Sequence, residues 1–436
     1  MKFSRMFSIS SCSARYLTAG LLIPAFLCLS IHAEEPRFRT GLLGGVRDVS
    51  VDDLQAMQKG NFVLHARDGV LTKVPVEKSR LPHDPQGHVQ AISAFLAADG
   101  AVYVKQQTIL CKSSDGGRTW ASWKFAESEK NALWQVRPDG NWISVGANLW
   151  GKTNAALPVK LSRDEGRAWN EIAQIRLPER YDERHGFNLF RSAKGVLMCG
   201  ISCRDHVRKE GQKHVSGIVT LNLYRSRDGG VTWDGPHKVA DWCHEGGLVE
   251  TASGKLVAVL RYQRAILASD PPDILKRWDL QRYDGSELPF PYKHVFLANS
   301  TDGGKTWTKL RQLTTVHGQC YGYPAALRDG TVVIVHDTRY GPGEQSGRAL
   351  ISRDEGERWE DESYYLYHGL GVTGYSQSVV LPDEVILTVA GTSDELEARG
   401  SWNAATGKSV LTAIRWKPVP SAKPEPVDSS GRKEGK

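Results

Sequence analysis

One eight-residue pattern, Ser-x-Asp-x-Gly-x-x-Trp, occurs five times: SSDGGRTW from Ser113, SRDEGRAW from Ser162, SRDGGVTW from Ser226, STDGGKTW from Ser300 and SRDEGERW from Ser352. Its aspartates, Asp115, Asp164, Asp228, Asp302 and Asp354, are spaced 49, 64, 74 and 52 residues apart. Periods of this length belong to arrays of small sheet or helix units, each unable to bury its apolar face alone. The chemistry of the motif is that of a hairpin turn. Ser and Asp side chains accept hydrogen bonds from turn amides, Gly tolerates positive φ, and Trp lays a large face against a sheet. The five aspartates are therefore expected to be structural.

Between these boxes runs a second pattern, an apolar strand, a tight turn and another apolar strand. It appears at residues 92–104, 133–145, 189–201, 247–260, 324–336 and 378–390. Each of the first five units is followed by a box, so each reads as four strands. The sixth has no box and ends in a strand at Ser409–Trp416. The fold class expected is all-β, a six-bladed β-propeller of four-stranded antiparallel blades. An N-terminal strand, Phe62–Arg67 or Leu71–Val76, is expected to complete the sixth blade and hide its open edge. A long insertion, Arg264–Pro291, falls between the second and third strands of blade four. Its Pro, Asp, Arg and Tyr content suits a loop over one face of the ring.

The remainder of the chain narrows its environment. Lys2, Arg5 and Arg15 precede an apolar run, Ala19–Ile31, that is short for a membrane span and ends at the small residue Ala33. Residues 1–33 read as a signal peptide, 34–416 as the propeller and 417–436, polar and Pro-rich, as a disordered tail. The chain is expected to be secreted or periplasmic, without stable membrane insertion once the signal is cleaved. Of the formal charge of +7, the signal and the tail hold most. The body then has no Lys/Arg block of the kind a nucleic-acid partner needs. Five cysteines, Cys111, Cys199, Cys203, Cys243 and Cys320, remain after the signal. The odd number and the absence of zinc-site spacing indicate buried thiols rather than a disulfide or metal scaffold. No cofactor motif occurs.

The boxes in a six-unit ring resemble those of the sialidase (neuraminidase) superfamily. Two further segments carry the resemblance. In blade four, Glu245-Gly-Gly-Leu-Val-Glu runs through a Gly turn to Val-Leu-Arg261. In blade six, Gly374-Tyr375-Ser376 opens the first strand. The resemblance implies an exo-glycosidase that hydrolyses a terminal acidic sugar with retention. Tyr375 would be the nucleophile, Glu245 its base, and Arg261 a ligand of the substrate carboxylate. A phenol with a pKa of about 10 needs such a neighbouring base, and sialidases depart from the usual two-carboxylate scheme in this way. Glu250 belongs to the structural strand. Arg348, four residues before the fifth box, and Arg339 are the candidates for a second carboxylate-binding guanidinium. Tyr323, with Trp150 and Tyr321, is an exposed aromatic suited to stacking on sugar.

The chain also departs from the family pattern. Blade one opens with Gly87-His-Val-Gln-Ala-Ile-Ser93, without the expected arginine, and residues 100–114 contain no acidic group. Arg37, Arg39 or Arg184 could supply the cation. His88 and Asp205 are the first candidates for the general acid, with Asp84 and His185 as further substitutes in space. The alternatives are a related hydrolase or lyase on a different acidic glycan, which the histidines His88, His185, His244 and His317 favour, and a carbohydrate-binding propeller without catalysis. An acidic glycan is the expected partner in the catalytic cases.

Overall fold

The computed structural model describes residues 49–84, 91–146, 148–150, 156–178, 183–204, 218–264, 292–314, 318, 320–338, 346–368, 375–393 and 409–420. The alternating segments fold as antiparallel sheets arranged as six blades. From the axis outward, blade one is Ser93–Leu96, Val102–Lys105, Ile109–Ser113 and Ala121–Lys124. Blade two is Ala132–Val136, Trp142–Gly146, Ala156–Ser162 and Asn170–Arg176. Blade three is Glu183–Arg191, Leu197–Arg204, Val219–Ser226 and Asp234–Asp241, with the short strand Asn148–Trp150 on its inner edge. Blade four is Cys243–Glu250, Leu256–Arg264, Tyr292–Ser300 and Arg311–Gln312. Blade five is Cys320–Ala326, Val332–Asp337, Ser346–Ser352 and Glu362–His368. Blade six is Ser376–Val380, Ile386–Ser393, Ser409–Trp416 and, from the N-terminal side, Glu77–Leu81.

Inner strands of successive blades lie against one another all the way round the ring. The apolar core is correspondingly divided, with one cluster at each blade interface. Leu133, Val145 and Val159 of blade two meet Leu197, Cys199 and Ile201 of blade three. Leu387, Val389 and Leu411 of blade six meet Val102, Val104 and Cys111 of blade one. Cys111, Cys199, Cys203 and Cys243 are buried and unbridged. Burial pushes the thiols of Cys111 and Cys199 up to about 12, so they behave as small apolar groups.

The boxes sit at the turn between third and outer strands. Ser113 Oγ donates to Asp115 Oδ1 at 2.7 Å and accepts from the Gly117 amide at 2.7 Å. The same Asp oxygen accepts the Arg118 and Thr119 amides, both at 2.9 Å. This pattern recurs around Asp164, Asp228 and Asp302. Burial pushes the Asp228 carboxyl up, but hydrogen bonds from Thr232 and Ser226 outweigh it and hold the group at about 2. The second glycine of the box abuts the preceding blade. A Cβ on Gly117 would meet Leu387 of blade six at 2.7 Å, and one on Gly230 would overlap Ile143 of blade two. The box glycine therefore lets one blade close on the next.

Closure differs from the expectation. Neither Phe62–Arg67 nor the following strand, Val70–Pro75, completes blade six. They form a hairpin that extends the outer edge of blade five, pairing Leu64 with Tyr365 and Arg67 with Glu362. Buried polar groups account for this choice. His65 Nε2 lies 3.1 Å from Glu362 Oε1, and its ring stacks on Tyr364 at 4.6 Å. Arg353 and Tyr364 complete the set, holding Glu362 at about 2 against the effect of its burial. A helix, Val51–Lys59, capped by Ser50, packs Leu54 and Met57 beside Leu64 and Tyr365. Ring closure falls to Glu77–Leu81, a polar strand whose contacts reach the first box. Arg118 donates to Glu77 at 2.6 Å, Ser79 donates to the Gly117 carbonyl at 2.6 Å, and Trp120 donates to Ser79 at 3.0 Å. Of the tail, Val419 is bonded to Tyr364 and Arg353 of blade five; residues 1–33 and 421–436 lie outside the described residues. No helix among the described residues is long and apolar enough to cross a membrane.

The box geometry predicts a graded glycine series. Gly230, at φ +98° and abutting Ile143, should lose about 3 kcal/mol on Gly230→Ala, from left-handed strain plus overpacking. Gly254, at φ +85° with open space around it, should lose only about 1 kcal/mol on Gly254→Ala. Urea denaturation of the two variants checks the difference.

Candidate functional site

Glu245 lies near the start of the inner strand of blade four, where the ladder is broken. Cys243 pairs with Tyr262 and Gly246 with Leu260, so His244 and Glu245 together oppose the single residue Arg261. Such a bulge turns side chains out of the regular alternation. It directs the Glu245 carboxylate and the Arg261 guanidinium to the same place. Arg261 Nη1 donates to Glu245 Oε2, and Arg261 Nη2 donates to Gln263 Oε1 at 2.8 Å. The pair is nearly dry, with side-chain exposures of 13% for Glu245 and 7% for Arg261.

Blade five repeats the device one step round the ring. Cys320 pairs with Asp337 and Tyr323 with Val335, leaving Tyr321 and Gly322 to oppose His336. Tyr321 adopts φ +58°, a conformation unusual for a non-glycine residue with a bulky side chain. Holding it costs on the order of 1–3 kcal/mol, recovered from its surroundings. Those surroundings explain the paired glycines of blade four. A Cβ on Gly247 would overlap Pro324 of the inner strand of blade five, and one on Gly322 would overlap Val259 of the second strand of blade four, so blades four and five meet backbone to side chain.

Tyr375 stands just before the inner strand of blade six and reaches over blade five to Glu245. Its hydroxyl donates to Glu245 Oε1 at 2.5 Å, while its ring meets that of Tyr321 edge to face, centroids 4.0 Å apart. The phenol and the guanidinium thus bind the two oxygens of one carboxylate. Burial pushes the Glu245 carboxyl up. The charge of Arg261, the Tyr375 hydrogen bond and neighbouring His244 outweigh it, and the group is held down at about 2. On the far side, Arg204 Nη2 lies 3.1 Å from His244 Nε2.

The other anticipated residues are distributed differently. Arg348 is on the third strand of blade five, its guanidinium over the Tyr365 ring at 4.8 Å and its Nε donating to Ser346 at 3.1 Å. Tyr321 is buried, not exposed, and Tyr323 is partly buried. The Tyr323 hydroxyl accepts from Asn188 of blade three, two blades away, at 3.4 Å. Burial pushes this phenol up to about 12. Glu250 accepts the Ala193 amide at 2.6 Å, as befits a structural strand. His88, Asp205, Arg339 and His317, with the side chains of Trp150, Arg184 and His185, lie outside the described residues. Asp84, by contrast, accepts a hydrogen bond at 3.0 Å from Thr108, in the turn between the second and third strands of blade one. Among the described residues no group of His, Cys, Asp and Glu side chains is arranged to hold a metal ion.

No family profile matches the chain, and no curated protein matches it by sequence. Solved structures do match it. A protein of unknown function from Dyadobacter fermentans aligns over 78% of this chain and 97% of its own, at 17% identity and a TM-score of 0.53. A Hadza microbial sialidase aligns over 80% of this chain and 69% of its own, at 15% identity and a TM-score of 0.52. An α-L-arabinofuranosidase from Fusarium graminearum aligns over 78% and 97%, at 13% identity and a TM-score of 0.51. At these identities the likeness is one of fold. The chain has a six-bladed β-propeller fold shared with glycoside hydrolases.

The ion pair makes a sign-definite prediction. Arg261→Ala leaves Glu245 buried beside the phenol without its cation and should cost about 3–5 kcal/mol at pH 7. Without Arg261 the carboxyl titrates at a higher pH, so the deficit should shrink as pH falls toward 4 and the group protonates. In the parent the depressed carboxyl acts oppositely. Its stabilisation is complete above the unfolded value near 4.5 and fades as pH falls toward about 2. Denaturation of both proteins across this range checks the crossing trends.

Proposed function

We propose that the chain is a retaining exo-glycosidase acting on a terminal acidic sugar, with Tyr375 as nucleophile and Glu245 as its base. The observation that carries this reading is the 2.5 Å hydrogen bond from the Tyr375 hydroxyl to a Glu245 carboxylate kept ionised by Arg261. A phenol attacks well only while it loses its proton, and here the acceptor is already in contact. The nucleophile is uncharged before attack, which suits an anionic glycosyl group. The cationic side chains of Arg204 and Arg261 on blades three and four suit it as well.

In the first step the Tyr375 oxygen bonds to the anomeric carbon, its proton passes to Glu245, and the glycosidic bond breaks. The departing oxygen needs a proton that Glu245, held at about 2, does not carry at neutral pH. We assign that role to Asp84. It sits beside Thr108 over blade one, next to blade six, at the end of the ring where inner strands begin and second strands finish. In the second step Asp84 takes a proton from water as the water oxygen bonds to the anomeric carbon. Tyr375 leaves and recovers its proton from Glu245. The two inversions give net retention.

A second reading rests on one observation. Both terminal nitrogens of Arg261 are hydrogen-bonded within the protein, to Glu245 and Gln263, so this cation serves the base before it serves a ligand. That favours a neutral terminal sugar, such as the substrate class in the name of the arabinofuranosidase of like fold.

A panel of aryl α-sialosides, aryl uronides and aryl α-L-arabinofuranosides separates the readings. Turnover of an acidic glycoside, reduced about a thousandfold or more in Tyr375→Phe, is the expected result. Turnover of the arabinofuranoside alone transfers the proposal to the neutral class, and binding without turnover ends it. Asp84→Asn should lower kcat/KM about a hundredfold for poor leaving groups and far less for nitrophenyl glycosides. A uniform loss across leaving groups would remove Asp84 from the acid role.

A further inference from the structure

The aromatic contact behind the nucleophile has a consequence of its own. We infer that Tyr321 is a positioning residue that holds the phenol of Tyr375 on Glu245 and keeps water from its ring; this rests on the glycosidase reading. A tyrosine that attacks through a single hydroxyl can swing about two side-chain torsions. Its hydrogen bond to Glu245 fixes only the oxygen. The ring must be fixed by something else.

Tyr321 fills that place. It is 6% exposed, and its ring meets Tyr375 edge to face at a centroid distance of 4.0 Å, the geometry in which one ring's positive edge faces the other's negative face. Its own location is firmly set. The bulge opposite His336 places it at φ +58°, and the following Gly322 is seated where a Cβ would meet Ile334 at 3.0 Å and Val295 at 3.1 Å. Two residues on, the Tyr323 hydroxyl accepts a hydrogen bond from Asn188 of blade three. Tyr321 is thus held by its backbone on both sides and presents a fixed ring to that of Tyr375. Burial, with the nearby phenols and carboxylates, pushes its hydroxyl well above the ordinary range, so the platform stays uncharged throughout the working pH range.

The strain supports a role in the site over simple core filling. A buried aromatic needs no positive φ, and glycine would occupy this backbone position without steric strain. The ring stands where the backbone disfavours a side chain.

The test compares Tyr321→Ala, Tyr321→Phe and Tyr375→Phe in the full protein with the aryl glycoside that the parent turns over. Loss of the ring should lower kcat by about a hundredfold while KM stays within about threefold, since the substrate is still bound but the attacking oxygen is misplaced. Tyr321→Phe should restore most of kcat. A second measurement does not depend on turnover: nitration of Tyr375 by tetranitromethane, followed by peptide mass spectrometry. It should be at least fivefold faster in Tyr321→Ala than in the parent or in Tyr321→Phe. An unchanged kcat in Tyr321→Ala, a loss confined to KM, or equal nitration in all three proteins overturns the inference. If the parent hydrolyses no glycoside, the functional reading fails separately, and nitration still decides whether Tyr321 shields Tyr375. A folding defect in Tyr321→Ala, seen by circular dichroism, passes the decision to Tyr321→Leu, which keeps apolar volume but has no aromatic ring and should behave as Ala does in both measurements.

Discussion

The architecture depends on closing a ring of sheets whose last blade lacks a strand of its own. Every other blade obtains its outer strand from the chain that follows its box. Blade six takes Glu77–Leu81 from the opposite end of the described chain, and this strand is joined to the first box through Glu77, Ser79 and Trp120. An unclosed blade six would expose both a strand edge and the apolar cluster of Leu387, Val389 and Leu411. Because the core is divided among the interfaces, the stability of each depends on the next being present. The box glycines take part in the same constraint, since they set how closely one blade can approach its predecessor.

The candidate site follows from departures from this regularity. A four-stranded blade with perfect alternation sends side chains to its two faces and leaves little to converge at the axis. The bulges in blades four and five interrupt that alternation at the same end of the ring. One brings Glu245 opposite Arg261, and the other brings Tyr321 under Tyr375. Gly247 lets the inner strands of blades four and five come closer than a side chain would allow, while Gly246 and Gly322 fit against Val259 of blade four's second strand. The resulting carboxylate is buried and still ionised, because a guanidinium and a phenol supply what water would have supplied. Structural and chemical demands meet in the same few residues. Removing Arg261 or filling Gly322 would disturb both.

Much of the blade structure is legible in the chain because it is local. A box and its flanking strands lie within a span of about twenty residues, and each of the six hairpins read from alternation forms where its turn residues place it. The partners of the N-terminal strands are not local. Phe62–Arg67 has the stronger strand pattern, yet it pairs with blade five, because His65 and Tyr364 stack and Glu362 accepts from His65. Glu77–Leu81 has little apolar signal, being an outer strand that buries Leu81 alone. Its role depends on pairing with Ser409–Trp416, more than three hundred residues away in the chain, and on the first box.

The sequence by itself determined the class of fold, the identity of Glu245, Arg261 and Tyr375 as residues worth joining, and the structural nature of the box aspartates. Local turn chemistry and strand periodicity suffice for the first and last of these, and resemblance for the second. Only the tertiary structure decided that the phenol reaches the carboxylate, that Arg261 is paired with Glu245, that Tyr321 is buried behind Tyr375, and that Asp84 comes to rest beside Thr108. Each of these is a contact between segments separated by more than a turn. The Arg261–Glu245 pair comes from a bulge within one hairpin; the others arise from how blades stack about an axis, a property that no single stretch of the chain contains.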